Sequence, residues 1–486
     1  MTFKFREPAP YRHQAEGVRR LMKHDGVFGL FYDVGTGKTR CVIDYLGMLA
    51  YHFDTEIRVL VCAPKSVVDT WELQVNQWGS QSCDWNIWAL QGSIQQKQTA
   101  LADAGSVPRG TGVTIRVVNY EALSSRRARG SKLDSDHWLN AVKKFAPHVL
   151  VCDESQRAKG NSSNVARLLH RIAPLVKRRI LLSGTPMPHS PLDIYSQFKI
   201  LDPTIFWTGS KPMTYSQFEA KVAIMGGWAG KQITGWRNLD WLENRMAERS
   251  HALRKEECLD LPPVTHVDVP VRLSEREQRA YDKVKKEMVL ALSNGELMST
   301  PSMLINRLRL RQLTCGFAKE DETGDVHWLG SSRLDTAVDL ISGLLESQNR
   351  IVVFGWALAE IEALKERLGD VARLITGSTP DAQRLAIRRE FASDSADKIV
   401  IIAQWRTISL GINELVTASH AVMLSLTEQR EDILQAMGRL DRPGQTSPVF
   451  YHWLLARGTV DEVVRRSHLE RTDLERGLLD YLRDNG

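Results

Sequence analysis

The first half of the chain alternates short, almost fully apolar segments with stretches in which apolar residues recur at helical spacing. This alternation predicts strand–helix–strand units around a parallel sheet whose strands are buried on both faces. The predicted strands are Val27–Phe31, Arg58–Ala63, Thr114–Val118, His148–Cys152 and Arg179–Ser183.

The same alternation returns in the second half, after a less regular middle region between about residues 201 and 257. Polar helices are predicted over Ser274–Asn294 and Met303–Leu313. The strands predicted beyond them are Arg350–Phe354, Arg373–Ile375, Lys398–Ala403, His420–Leu424 and Val449–Leu454. The pattern therefore predicts an α/β fold with two lobes that are joined near residues 250–270, where Pro262-Pro263 interrupts the chain.

Composition narrows the class of protein without identifying its function. A chain of 486 residues with 43% hydrophobic and 25% charged residues is too long for one core and suits two or three globular domains. No apolar run reaches membrane-spanning length and the start has no signal-peptide core, so we expect no membrane partner and a cytoplasmic or nuclear protein. The six scattered cysteines favour reduced, buried thiols. A net charge of +6 permits a nucleic-acid partner.

A glycine-rich turn follows the first predicted strand. Gly35 and Gly37 let backbone amides approach an anion, and Lys38 opens an amphipathic helix whose dipole favours negative charge. In such a turn Lys38 contacts the β- and γ-phosphates of a nucleotide, and Thr39 holds Mg²⁺. The full phosphate-binding pattern has a glycine where this chain has Tyr32, so an ordinary tight turn is the alternative.

Two adjacent acids, Asp153 and Glu154, end the predicted strand at residues 148–152. Hydrolysis of Mg-ATP requires one carboxylate that holds the metal and one group that orients and deprotonates water. We therefore assign Asp153 to Mg²⁺ and Glu154 to the water. The alternative is a pair of solvated acids at a strand end, and the phosphate-binding turn upstream makes it less favoured.

Two further segments add to this pattern. Ser183-Gly184-Thr185-Pro186 follows a strand, where small hydroxyl residues could sense the γ-phosphate. Arg439 and Arg442 lie three residues apart, which predicts one shared helical face. A guanidinium that a second lobe supplies to the γ-phosphate is an arginine finger. The alternative for the arginine pair is an exposed basic helical turn.

In their order, these segments resemble the Swi/Snf-like branch of the superfamily-two helicases and translocases, over nearly the whole chain. The first-half segments that resemble its motifs are Tyr11–Gly17, Gly35–Thr39, Ala63–Ser66 with Trp71, Val118–Glu121, Asp153–Gln156, Leu182–Pro186 and Leu192–Ser196. The second-half segments are Leu253–Lys255 with Leu261–Pro263, Leu273–Gln278, Leu308–Leu313, Thr376–Thr379, Leu410–Asn413 and Gln435–Gln445.

The resemblance implies two RecA-like lobes, each a mainly parallel sheet flanked by helices, with a helical or irregular insert between them. The implied boundaries are residues 1–250 for the ATP-binding lobe, 251–330 for the linker and 331–486 for the second lobe. ATP and Mg²⁺ are the implied cofactors, with Gln14 as the adenine contact. The implied nucleotide contacts further include Gly35, Thr36, Gly37, Lys38, Thr39 and Gly411, and the implied catalytic groups are Lys38, Asp153, Glu154, Gln435, Arg439 and Arg442.

The chain departs from the family pattern in three places. Gln156 stands where the family usually has histidine, and we expect this difference to alter how the ATP site is coupled to DNA binding. Thr407-Ile408-Ser409 replaces the usual Ala-Gly-Gly, which affects how closely backbone and DNA approach. The usual aromatic-Asn-Pro segment before the arginine pair is absent, and Thr427–Arg430 lies near its place.

The resemblance also implies a sequence-nonspecific grip on a phosphate backbone, which is sensitive to salt. The candidate contacts are Lys65, Ser66, Asn119, Gly377, Ser378 and Thr407. Arg126, Arg127 and Arg129 lie in the densest basic segment of the chain, for which a solvated loop is the alternative. Four tryptophans of the middle region (Trp207, Trp228, Trp236 and Trp241) are predicted to pack as core, with DNA guidance or partner binding as alternatives.

The family's usual activity is ATP-driven tracking along double-stranded DNA. The partner we expect is duplex or branched DNA, in replication, repair or recombination, and the short chain resembles a bacterial or phage enzyme. One alternative is a strand-separating helicase on forks, D-loops or RNA hybrids. Another is a nucleic-acid-binding subunit with a vestigial ATPase. The sequence does not reveal protein partners, tracking direction or oligomeric state.

Overall fold

A computed structural model describes residues 3–103, 112–124, 135–208, 211–226, 232–293, 300–320, 323–393, 395–405, 407 and 413–470. The chain divides into two compact units, residues 3–259 and Asp260–Glu470. The division falls inside the segment 251–330 that the resemblance assigns to the linker.

The first unit is built on one large sheet. Its strands are β1 (Val27–Tyr32), β2 (Ile57–Ala63), β3 (Asp84–Ala89), β4 (Gly112–Asn119), β5 (Val149–Asp153), β6 (Arg178–Leu182), β7 (Trp207–Thr208), β8 (Lys211–Pro212), β9 (Ala223–Gly226), β10 (Gln232–Trp236) and β11 (Ser250–Leu253). Seven of them form a sheet in the order β11-β1-β6-β5-β2-β4-β3. All of its strand pairs are parallel, so their carboxyl ends share one edge.

Helices cover both faces of this sheet. They are α1 (Arg12–Lys23), α2 (Lys38–Phe53), α3 (Val68–Trp78), α4 (Ile94–Ala102), α5 (Tyr120–Ser124), α6 (Ser135–Phe145), α7 (Asn164–Ile172), α8 (Asp193–Leu201), α9 (Tyr215–Val222), α10 (Leu239–Ala247) and α11 (Lys255–Cys258). Successive side chains of a strand point to opposite faces, and β2 shows the result. Leu60 and Cys62 belong to one buried cluster, whereas Val59 and Val61 belong to the other.

The second unit repeats this plan. Its strands are β12 (Val264–Val271), β13 (Phe317–Lys319), β14 (Val326–Trp328), β15 (Arg350–Gly355), β16 (Ala372–Ile375), β17 (Ile399–Gln404), β18 (His420–Met423) and β19 (Val449–Ala456). Six of them form a parallel sheet in the order β12-β19-β18-β15-β17-β16. The helices are α12 (Glu275–Ser293), α13 (Thr300–Thr314), α14 (Ser332–Leu344), α15 (Leu358–Leu368), α16 (Asp381–Ala392) and α17 (Arg430–Leu440).

Two mainly parallel sheets flanked by helices confirm the predicted fold class, and all ten predicted strands are present. Within the two main sheets the pattern missed three strands, β3, β11 and β12, and it also missed the six strands of the three small two-stranded sheets. Each of these three lies at the edge of its main sheet, and polar residues interrupt each segment, as Ser250 and His251 do in β11.

The tryptophan prediction is correct for two residues and wrong for one. Trp236 and Trp241 pack against the buried cluster of the first unit. Trp207 is 40% exposed, because its strand belongs to a short two-stranded ribbon outside the main sheet. Trp228 lies outside the described residues.

The cysteine prediction holds for four residues. All six cysteines are free thiols, and Cys41, Cys62, Cys152 and Cys315 are buried.

Within the described ranges, none of the helices combines the length and apolar character that crossing a membrane requires.

Candidate active site

The glycine-rich turn connects β1 to α2 at the carboxyl edge of the first sheet. Gly35 and Gly37 have φ angles of 89° and 87°, in the left-handed region that favours glycine. A Cβ atom at Gly37 would lie 2.2 Å from Nε2 of Gln14. Glycine at position 37 is therefore required both by the backbone and by the packing of Gln14.

Lys38 lies across this turn. Its side chain is buried, and Nζ donates hydrogen bonds to the carbonyl oxygens of Tyr32 at 2.7 Å and Asp33 at 3.2 Å. The ammonium group is thus held at the end of β1, beside the turn where the resemblance implies phosphate. Thr39 follows in the first turn of α2 and is half-buried.

The start of α1 is attached to the same turn. Nε2 of Gln14 donates to the carbonyl oxygen of Thr36 at 3.1 Å, and Nε2 of His13 bonds the same oxygen at 2.8 Å. Burial lowers the pKa of His13 and so favours the neutral ring, and Nε2 donates to this carbonyl oxygen in the tautomer that has its proton there. Gln14 and Thr36 are both buried, which fixes Gln14 beside the turn; its contact with adenine stays a prediction.

The chain that leaves the first sheet also contacts the turn. Asp33 accepts a hydrogen bond from the backbone amide of Lys255 at 3.1 Å through Oδ2, and its own amide donates to Leu253 at 3.0 Å. Strand β11 therefore ends beside the turn. This contact cannot be predicted from local sequence, because the two segments lie more than two hundred residues apart in the chain.

Asp153 ends β5 and is buried. Oδ2 accepts a hydrogen bond from the Trp71 indole at 2.9 Å, and its carbonyl oxygen accepts one from the Tyr120 hydroxyl at 2.9 Å. Burial raises the pKa of the Asp153 carboxyl to about 6 and Glu154 adds to the rise, whereas Trp71 and Lys38 act against it. A fixed, buried carboxylate of this kind is stabilised by a nearby cation.

The oxygen donors present suit magnesium. The Thr39 hydroxyl and the Asp153 carboxylate are hard ligands, and Mg²⁺ commonly binds one or two protein oxygens and completes its shell with phosphates and water. In the part of the chain that the structure describes, no three histidine, cysteine or acidic side chains gather closely enough to hold a metal by themselves. The residues therefore fit a metal that arrives with the nucleotide.

Glu154 follows in a left-handed conformation, with φ of 51°. Nε2 of Gln156 donates to its carboxylate at 2.9 Å, and Oε1 of Gln156 accepts from the Ser183 hydroxyl at 2.7 Å. Gln156 and Ser183 are fully buried. The side-chain amide of Gln156 thus connects Glu154, the proposed base, to the Ser183–Pro186 segment. Gln156 is also the residue that stands where the family usually has histidine.

Replacing Gln156 with alanine is expected to lower the kcat of DNA-stimulated ATP hydrolysis about tenfold, because the Glu154 carboxylate loses the group that orients it. The KM for ATP should stay within about twofold, since Gln156 contacts neither the glycine-rich turn nor Lys38 in the bonds above. Steady-state phosphate release at saturating DNA measures both constants.

Gln156→His is the matched control, because an imidazole has one donor and one acceptor nitrogen and can replace both bonds. It should retain most of the parent kcat. Equal activity of the alanine variant and the parent would show that the bridge does not position Glu154.

The arginine pair lies in the second unit, and its geometry corrects one expectation. Arg439 is in α17, but this helix ends at Leu440 and Arg442 lies beyond it. The two residues therefore do not share a helical face. The cause is local: Asp441 leaves the helical region with ψ of 84°, and the residue before Pro443 disfavours helix.

The segment that follows α17 is nonetheless anchored by hydrogen bonds from Gln445. Nε2 of Gln445 donates to the carbonyl oxygens of Val416 at 3.0 Å and Ala418 at 2.9 Å. Burial lowers the pKa of Arg442, and the charge of Glu414 acts in the opposite direction. Gln435, Arg439 and Arg442 are all half-buried, so each is partly accessible.

Lys65 and Asn119, two candidate DNA contacts of the first unit, lie near Lys97, which was not predicted from the sequence. Nζ of Lys97 donates to Oδ1 of Asn119 at 2.5 Å, and Asn119 donates to Oε2 of Glu121 at 2.9 Å. Burial lowers the pKa of Lys97, and the charge of Lys65 lowers it further. Lys65 is exposed, so two cations meet at the carboxyl ends of β2 and β4.

The candidates of the second unit differ in accessibility. Gly377 and Ser378 are exposed. Thr407 is buried, and its hydroxyl group lies 2.5 Å from the carbonyl oxygen of Gln404, so a DNA contact through this hydroxyl requires that bond to break. The candidates Arg126, Arg127, Arg129 and Gly411 lie outside the described residues, as does the side chain of Ser66.

Comparison with known proteins gives consistent matches. A model described as the SNF2-related domain matches residues 13–317, and one described as the helicase conserved C-terminal domain matches residues 332–444. The chain is 24% identical over 480 residues to protein CHROMATIN REMODELING 4 of Arabidopsis thaliana, covering 94% of this chain and 20% of that protein.

It is 23% identical over 456 residues to the DNA annealing helicase and endonuclease ZRANB3 of Bos taurus, covering 93% of this chain and 39% of that protein. The chain thus spans less than half the length of either relative. A solved structure of the Sulfolobus solfataricus SWI2/SNF2 ATPase core in complex with dsDNA matches over 99% of this chain and 94% of that chain, with 18% identity and a TM-score of 0.43.

Proposed function

Because the chain belongs to the SNF2-related family of helicase-type ATPases, we propose that it couples hydrolysis of Mg-ATP to movement along duplex or branched DNA without sequence preference. The proposed biological process is replication, repair or recombination. The observation that carries this proposal is the meeting of the glycine-rich turn, Lys38 and the Asp153–Glu154 pair at one edge of one parallel sheet.

In the proposed mechanism, the first unit binds and hydrolyses the nucleotide. Backbone amides of the turn and Nζ of Lys38 hold the β- and γ-phosphates, and Gln14 contacts adenine. Thr39 and Asp153 hold Mg²⁺, which when bound neutralises charge on the phosphate oxygens. Glu154 accepts a proton from the attacking water, and Gln156 keeps its carboxylate oriented.

The proposed role of the second unit is to complete catalysis and grip DNA. Arg439 and Arg442 supply positive charge to the γ-phosphoryl group as its bond breaks, with Gln435 as a further contact. Lys65 and Asn119 in the first unit contact the DNA backbone, as do Gly377 and Ser378 in the second. Lys97 joins these contacts through its bond to Asn119. Cycles of hydrolysis change these grips and produce a step.

The rate of ATP hydrolysis on a panel of nucleic acids tests this proposal. Closed circular duplex DNA, forked DNA, single-stranded DNA and RNA would be compared at several salt concentrations. We expect stimulation of at least about tenfold by duplex or forked DNA. The DNA concentration for half-maximal stimulation should rise steeply with salt, because backbone contacts release counterions. Equal rates with and without every DNA would contradict the proposed function.

A further inference from the structure

Residues 424–429 connect β18 to α17, the helix that contains the first arginine of the pair. Helix α17 begins after Gln429, whose side chain makes no capping hydrogen bond. Its apolar side chains Ile433, Ala436 and Leu440 are buried in the second unit and determine which face of the helix points inward. The start of the helix therefore depends on how the connecting segment is anchored.

Two arginines of α13 anchor this segment. Nη2 of Arg311 donates a hydrogen bond to the carbonyl oxygen of Leu426 at 2.7 Å. Nε of Arg307 forms an ion pair with Oε1 of Glu428 at 2.8 Å, and Nη1 of Arg311 lies 3.8 Å from the same oxygen. The guanidinium carbon of Arg311 also lies 4.0 Å from the centre of the Trp356 ring. The two arginines are four residues apart in α13, so they share one face of that helix.

Helix α13 is itself anchored within the second unit. Leu310 and Leu313 are buried in one cluster with Tyr281 of α12. Nε of Arg333, which is fully buried, donates to the carbonyl oxygen of Thr314 at 2.8 Å, at the end of α13. The two arginines that contact the connecting segment therefore extend from a fixed helix.

The connecting segment itself has few internal restraints. It contains no proline, so no ring restricts its φ angles, and it includes part of the segment in which the chain departs from the family pattern. A shift of about 1 Å in a catalytic group can lower a rate about 100-fold. Resting on the function proposed above, we propose that Arg311 is a positioning residue for ATP hydrolysis. Through Leu426 and the ion pairs of Glu428 it fixes the start of α17 and so places the arginine pair, without itself contacting the nucleotide.

The test replaces Arg311 with alanine in the full chain. We expect the kcat of DNA-stimulated hydrolysis to fall about tenfold and the KM for ATP to stay within about twofold, because the nucleotide-binding groups of the first unit are unchanged. Arg465→Ala is the matched control. The Arg465 guanidinium also lies 4.0 Å from a tryptophan ring, that of Trp453, and its side chain is 12% exposed against 13% for Arg311. This control should retain kcat within about twofold, because its ion partner, Asp268, lies in β12.

Two further comparisons separate positioning from a general effect on the fold. In a background with Arg439 and Arg442 both replaced by alanine, adding Arg311→Ala should change the single-turnover rate less than about twofold, because the two charges that Arg311 positions are then absent. Reversing the charge with Glu428→Arg should lower kcat about tenfold, because it brings like charges together. Adding Arg307→Glu should then restore kcat to within about threefold of the parent, because opposite charges face each other again.

Three results would overturn the proposal: an unchanged kcat in the Arg311 variant, an equal loss in the Arg465 variant, or an equal loss in the background without the arginine pair. Thermal unfolding shows whether the Arg311 variant folds. If it does not, the charge reversal decides, and failure of Arg307→Glu to rescue Glu428→Arg contradicts the proposal. Absence of stimulation of the parent by every DNA would instead contradict the proposed function, and the positioning role fails with it.

Discussion

Replacing Glu154 with glutamine is expected to lower DNA-stimulated ATP turnover by about 100- to 10,000-fold, the usual contribution of a general base. Glutamine has the same shape and keeps an acceptor oxygen for the Gln156 amide, but it cannot take a proton from water. ATP affinity should be nearly unchanged, because Lys38 and the glycine-rich turn are untouched. Phosphate release and nucleotide titration measure the two quantities.

Glu248→Gln is the control for this experiment, because Glu248 is an exposed acid whose ion partner is Arg245 at 2.8 Å. It should leave turnover and thermal stability unchanged, since exposed pairs contribute little. Turnover of the Glu154 variant equal to that of the parent would remove Glu154 from the role of base. Absence of turnover in the parent itself would favour the hypothesis of a vestigial ATPase.

Replacing Arg442 with alanine is expected to reduce DNA-stimulated turnover by about 1,000- to 100,000-fold, the range known for arginine fingers. ATP binding should stay within about threefold, because the glycine-rich turn, Lys38 and Gln14, which are the main proposed binding groups, belong to the first unit. The fold should persist, because Glu414 keeps a bidentate ion pair with Arg388, with both bonds at 2.8 Å. Single-turnover hydrolysis separates this loss from any change in affinity.

Two variants show whether charge alone is sufficient at this position. Arg442→Lys keeps the charge but not the planar fork of donors, so most of the loss should remain. Arg279→Ala removes an exposed arginine of α12 and should have no effect. A loss of less than about threefold in the Arg442 variant would exclude it as the finger and leave Arg439 as the candidate.

The features that the sequence predicted correctly are those with local causes. A buried parallel strand requires a mainly apolar segment, and the ten predicted strands are mainly apolar, although Arg116 interrupts β4. The turn between β1 and α2 requires glycine at positions 35 and 37 because of its backbone angles. In segments of this kind, the residues that determine the local structure lie within a few positions of one another.

The features that the sequence missed depend on distant partners. Lys97 was not identified because its bond to Asn119 joins α4 to the end of β4, and nothing in the sequence of α4 distinguishes Lys97 from the other polar residues of that helix. The bond between Asp33 and Lys255 likewise requires the order of strands in the sheet. The helical spacing of the two arginines was overridden by the end of α17 at Leu440.

The placement of β11 has a consequence for synthesis of the protein. β1, which leads into the glycine-rich turn, lies between β6 and β11, so one of its neighbours is completed only when residue 253 has been made. Until then the nascent chain has an apolar strand with an open edge, which invites wrong pairing. A fragment truncated before Ser250 should therefore aggregate on expression, whereas one that continues past Cys258 keeps the strand covered.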